Sequence, residues 1–117
     1  MIIDFHTHIF PDKIAARTIG ILEAKSGLAA ATDGTPGGLL KSMHRAGIDM
    51  SVVLPVATKP SQFESIRMYA GSVNVQYPDK LLSFGGIHPD CADYKREIDI
   101  ICEMGLVGIK IHPDYQI

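Results

Sequence analysis

Four of the five histidines follow short β-like runs: His6 and His8 close to Ile2-Ile-Asp-Phe5, His88 after Leu81–Gly85, and His112 after Val107–Ile111. Imidazole is the commonest metal-binding side chain, and the carboxyl ends of parallel strands are where α/β proteins recruit ligands and catalytic groups. His6 and His8 are the sharpest pair. Residues i and i+2 of a strand share a face with Cα atoms about 6.5 Å apart, and zinc–nitrogen bonds of about 2.0–2.1 Å let two such rings reach one ion. Two neutral imidazoles suit zinc, nickel, manganese or iron. Asp4 lies one step deeper on the same face, where it either orients an imidazole or fills a polar position in a packed layer. Lys110 shares a face with His112, and the two read as an anchor for an anionic substrate. The alternative for Lys110 is a stem packed in the interior with its head on a carboxylate. His88 joins them as a third contributor to a shared polar mouth.

The junctions repeat one design. Ile87-His88-Pro89-Asp90 recurs as Ile111-His112-Pro113-Asp114, and His8 is followed by Pro11-Asp12. Proline has no N–H to extend a strand ladder, and the aspartate after it is expected to cap the following helix. His44 falls inside a helical segment and reads as a surface or groove residue. Cys91 and Cys102 are too few and too far apart for a CxxC motif and are expected to be buried as small apolar side chains.

The elements that must position these groups alternate. Ile2–His6, Ser51–Pro55, Leu81–Gly85 and Val107–Ile111 read as buried parallel strands, the last three starting at residues 51, 81 and 107, which is 30 and 26 apart. Between them, Phe63, Ile66, Ala70, Val73 and Tyr77 share one helical face, as do Tyr94, Ile98 and Ile101. Ser61 and Glu64 have the spacing of a capping box, Thr35-Pro36 fits a cap followed by a first-turn proline, and Gly47 and Gly105 fit helix ends. Ile14–Ser26 and Leu39–Ala46 also read as helices, with Ala29–Gly38 as the loop between them. Successive βαβ units with right-handed crossovers leave a doubly wound open sheet or a (β/α)8 barrel.

The chain has 117 residues, 46% of them apolar and 21% charged, with a net charge of -2. That allows a single domain, residues 1–117, and excludes disorder and a basic nucleic-acid-binding surface of whole-domain extent. No apolar run approaches the roughly 20 residues of a membrane span, and the N-terminus lacks the basic and apolar regions of a signal peptide. The expectation is a cytoplasmic protein that binds neither nucleic acid nor membrane.

Ile2-Ile-Asp-Phe-His-Thr-His8 resembles the opening of the amidohydrolase superfamily, metal-dependent (β/α)8-barrel enzymes whose first strand supplies two metal-binding histidines. Gly108-Ile-Lys-Ile-His-Pro-Asp-Tyr-Gln116 is similar to the fourth-strand segment of the amidohydrolase-related branch. That branch includes hydrolases and decarboxylases resembling aminocarboxymuconate-semialdehyde decarboxylase. The resemblance implies a TIM-barrel-type α/β fold with about its first four β/α units present, and His6 and His8 as ligands of a divalent metal, expected to be zinc. It also implies hydrolysis of a C–N or C–O bond, or nonoxidative decarboxylation. The family's remaining ligands and its catalytic aspartate belong to later strands, so no catalytic residue is assigned. Some superfamily members carry a carboxylated, metal-bridging lysine on the fourth strand, the place of Lys110.

Gly86-Ile-His88-Pro also resembles the third-strand segment of TatD-like nucleases. Lysine and histidine stand where that family has a fourth-strand glutamate, which favours the amidohydrolase-related branch. Four strands left open expose two unpaired edges. The expected partner, besides a small anionic substrate, is therefore a missing C-terminal half or another copy of the chain, and a non-catalytic, oligomerising, metal-binding half-barrel is the remaining alternative.

Overall fold

The computed structural model describes residues 1–116. Its order is β1 (Ile3–Thr7), α1 (Asp12–Ser26), α2 (Pro36–Ala46), β2 (Met50–Val53), α3 (Phe63–Gln76), β3 (Leu81–Ser83), β4 (Gly85–Gly86), α4 (Tyr94–Glu103) and β5 (Ile109–Lys110). Strands β1, β2 and β3 form one parallel sheet in that order, and β4 and β5 form a second parallel pair. The two meet in one run of chain. The Phe84 N–H donates to Val53 O at 3.0 Å and the Gly85 N–H to Gly108 O at 2.9 Å. Residues 81–86 therefore pair with β2 on one side and β5 on the other, as a central strand does, and the parallel strands follow one another in chain order.

The strands are held by two apolar clusters. Leu39 and Met43 of α2 and Val73 of α3 close on Val53, Leu81 and Ile9, while Ala70, Ile87, Ile101 and Leu106 form a second group under α3 and α4. The α3 stripe read from sequence is the one buried: Phe63, Ala70 and Val73 are enclosed, with Ile66 and Tyr77 half-buried. Of the α4 stripe, Ile98 and Ile101 turn inward, and Tyr94 at the first turn is exposed. Helix α1 packs least, with Ala15 its one buried residue and Ile14 and Ile21 exposed.

Some of the punctuation holds. Thr35 Oγ1 accepts the Gly38 N–H at 3.0 Å, Pro36 opens α2, and Gly47 and Gly105 end their helices at positive φ. The Ser61–Glu64 box does not form. A 3-10 turn over Pro60–Gln62 carries Ser61 into helical geometry, so α3 starts at Phe63 without a side-chain cap, and Gln62 Oε1 accepts from Thr58 instead. Nor do the Pro-Asp aspartates cap. Asp12 is already the first residue of α1, Asp93 rather than Asp90 caps α4, and Asp114 lies in the 3-10 turn Pro113–Tyr115. The cysteines also differ from expectation: both are free, Cys91 half-buried and Cys102 exposed, because Ile101 takes the buried side of that turn of α4.

Exposed apolar residues mark both ends of the strand order, Ile3 and Phe5 on β1, and Val107, Ile109 and Ile111 along β5. Among the described residues, no helix is long and apolar enough to cross a membrane.

A Cβ on Gly85 would lie 2.7 Å from Ile101 Cδ1, whereas one on Gly20 meets nothing within 4 Å. Gly85→Ala is predicted to destabilise by about 1–3 kcal/mol through overpacking against Ile101. Gly20→Ala, in an exposed helix interior, is predicted to stabilise by about 0.5–1 kcal/mol. Urea unfolding midpoints check both signs.

Candidate functional site

The site begins where β1 and β2 stop pairing. The Leu54 N–H donates to Thr7 O at 2.8 Å, and Thr7 Oγ1 donates to Val52 O at 2.8 Å. His8 Nδ1 then lies 2.7 Å from Leu54 O. A carbonyl oxygen only accepts, so Nδ1 carries the hydrogen and, in the neutral ring, Nε2 keeps its lone pair. The His6 and His8 rings are 5.0 Å apart between centroids at 71°. Burial is the main cause that lowers the His8 pKa from its ordinary value; the Leu54 carbonyl opposes it, and the charges of His6, Lys110 and His112 add to the lowering. His8 is thus a neutral imidazole near pH 7, tied at one nitrogen and free at the other.

Asp4 does not orient that ring. Pairing along β1 slips between Asp4 and Thr7, which interrupts the alternation that would stack Asp4 beneath both histidines, and Asp4 Oδ1 accepts the backbone N–H of His6 at 3.1 Å.

A cleft of about 310 Å³ opens beside His6, Thr7 and His8. Its walls are Ile19, Leu22 and Glu23 of α1, the segment 28–32, and Leu39 and Ser42 of α2. Glu23 Oε1 accepts the Ala30 N–H at 2.7 Å and so fixes that segment to the helix. The small-residue stretch that reads as a plain connection in the sequence is one wall of the cleft.

Lys110 of β5 and His112, two residues further on, lie close enough for their charges to act on His8 without lining this cleft. The His112 N–H donates to Gln116 Oε1 at 2.9 Å, its ring centroid is 4.3 Å from that of Tyr115, and its Nδ1 is buried with no hydrogen-bond partner. Lys25 Nζ, from the last turn of α1, sits 4.8 Å from the centre of the Tyr115 ring on which His112 leans. His88 stands apart: it is 4% exposed, and its Nδ1 accepts the Asp90 N–H at 3.1 Å, a use within its own turn. His44 is exposed on α2, as expected.

The structure therefore places His6 and His8 in the wall of the cleft, Lys110 and His112 near His8 but outside that wall, and His88 apart from both. Two imidazoles are the ligand set on offer, since no three metal-binding side chains converge among the described residues. Sequence reasoning missed the Leu54 carbonyl, Glu23 and Gln116. A backbone acceptor has no signature in residue type, and a single glutamate or glutamine has no spacing to reveal it.

The sequence matches no described protein family and no curated protein. Solved structures do match. An uncharacterised TIM-barrel protein from Bordetella bronchiseptica superposes with a TM-score of 0.66 at 18% identity, over 90% of this chain and 41% of that one. This chain has the fold of part of a TIM barrel. A second match is 4-oxalomesaconate hydratase, LigJ, from Rhodopseudomonas palustris, with a TM-score of 0.55 at 25% identity, covering 98% of this chain and 42% of that one. The chain thus spans about two fifths of the length of either protein.

The lowered His8 pKa has a sign. The unfolded chain, with a histidine pKa near 6.5, takes up the proton before the folded chain does. Stability is therefore full above about pH 6.5 and is lost as pH falls from there through the folded-state pKa. His8→Asn keeps a donor for Leu54 O but does not titrate. Its urea midpoint is predicted to fall less between pH 7.5 and 5.5 than that of the unsubstituted chain; equal falls would contradict the assignment.

Proposed function

We propose that this chain is the first half of a (β/α)8-barrel enzyme of the amidohydrolase superfamily that holds a divalent metal, zinc first among the candidates, and acts on a small anionic substrate. The observation that carries the reading is the His6–His8 pair, with His8 locked by Leu54 O in the tautomer that leaves Nε2 free. The donor chemistry fits: two imidazoles, one held neutral by burial, are what a borderline metal takes. His6 and His8 would hold the ion together with ligands from outside these residues. When bound, such an ion lowers the pKa of a water and polarises a substrate oxygen.

The chain's own residues supply the rest. Leu54 O keeps the His8 ring from rotating. The apolar side chains of Ile19, Leu22, Leu28 and Leu39 line the cleft. Lys110 and the His112 ring, whose charges both act on His8, stand on the side of His8 where a carboxylate can be met. LigJ supports this direction, because 4-oxalomesaconate is itself a polycarboxylate. It also adds water addition to the hydrolysis and nonoxidative decarboxylation that the sequence resemblance implies. A second half, from the continuing polypeptide or another copy, would cover the exposed apolar residues of β1 and β5.

In the complete barrel, His6→Ala or His8→Ala is predicted to lower metal-dependent turnover at least about a hundredfold, more than the loss of an outer-shell partner costs. Lys110→Met is predicted to raise KM for a carboxylate substrate about tenfold to a hundredfold, the loss of one charge-assisted contact. Steady-state kinetics with metal analysis test both, and unchanged metal content and rate in the histidine variants would overturn the proposal.

A further inference from the structure

Gln116 is only 7% exposed, unusual for a glutamine. Its amide has one acceptor oxygen and two donor hydrogens. All are spent on backbone. Oε1 accepts the His112 N–H at 2.9 Å, and Nε2 donates to Ala57 O at 2.8 Å and to Ile87 O at 2.6 Å. These partners fix the orientation of the amide, because a flipped group would turn its oxygen toward two carbonyl oxygens. They also lie on three connections: the loop after β2, the residue after β4, and the second residue after β5. The strand ladders end at or beside these points: Ile87 still donates its N–H to Lys110 O at 3.2 Å, but its carbonyl, like that of Ala57, is met by the Gln116 amide. Its neighbour Tyr115 lies 4.8 Å from Lys25 Nζ and 4.3 Å, between ring centroids, from His112.

We propose that Gln116 is a positioning residue: by joining the ends of β2, β4 and β5 it fixes where His112 presents its ring beside His8 and Lys110. This rests on the reading of Lys110 and His112 as an anion anchor. Gln116 does not line the cleft and acts through His112, not on the substrate.

The test compares the full chain with Gln116→Leu, which removes all three bonds at similar volume, and Gln116→Glu, which keeps only the acceptor for the His112 N–H. Readouts are amide exchange at His112 and Leu54, the His112 ring-proton shifts induced by Tyr115, and dissociation constants for succinate and for zinc. In Gln116→Leu the His112 amide is expected to exchange faster and its ring shifts to move toward random-coil values. Succinate binding should weaken about fivefold to tenfold, the worth of roughly one hydrogen bond. Leu54 protection and zinc affinity should stay as they were. In Gln116→Glu the His112 amide should stay protected while its ring shifts still move, a result that serves alone if Gln116→Leu does not fold. Unmoved ring shifts, or loss of protection at Leu54 equal to that at His112, would overturn the proposal. Failure of the unsubstituted chain to bind succinate would instead count against the anionic-substrate reading, and the ring shifts would still decide the role of Gln116.

Discussion

The candidate site depends on two hydrogen bonds exchanged where β1 and β2 part. Leu54 donates its N–H to Thr7 O and receives the Nδ1–H of His8 on its own carbonyl. A strand ladder has to end somewhere, and its last backbone groups must find partners or water. Here the last acceptor of β2 is met by an imidazole instead of by another residue of β1. That one substitution sets the tautomer of His8 and stops its ring from turning, with the His6 ring 5.0 Å away between centroids. A partner of this kind on the far nitrogen of a metal-binding histidine is the usual means by which proteins orient such ligands.

Packing is distributed to match. The floor of the cleft lies over the best-packed part of the chain, where Leu39, Met43 and Val73 clamp Val53 and Leu81. The wall opposite is built from α1, which buries little beyond Ala15, and from the exposed segment 28–31. Low local burial means low local stability, and substrate-admitting walls are drawn from such regions. Two polar ties hold this wall in register, Glu23 on the Ala30 N–H and Lys25 over Tyr115. The second joins the wall to the segment that carries His112.

Much of this was legible in the residues, for reasons that also mark its limits. The α3 stripe and the central strands follow from apolar spacing, which burial enforces directly, whereas β1 and β5, also read as buried, leave Ile3, Phe5 and Ile109 exposed; Thr35-Pro36 and Gly47 act through local backbone geometry that no distant contact alters. His6 and His8 were visible because type and spacing carried the signal together. What escaped depends on the chain folding back on itself. The Pro60 turn moved the start of α3 past Ser61, and the slip in β1 took Asp4 off the course that plain alternation predicts. His88, alike in motif to His112, spends its ring nitrogen on its own turn, whereas His112 has its backbone held by Gln116 and its Nδ1 unspent. Two copies of one motif were given different tasks by their neighbours.

The central claim is that the β1–β2 seam prepares His8 as a metal ligand before any metal arrives. Long-range proton–nitrogen correlation spectra of the histidine-labelled chain, near pH 7.5 and with and without zinc, test this most directly. The account predicts a protonated Nδ1 and an unprotonated Nε2 on His8 in the metal-free chain, with zinc perturbing Nε2 of His8 and the ring of His6 together. A His8 ring protonated at Nε2, or one whose nitrogens zinc leaves unchanged, would contradict it.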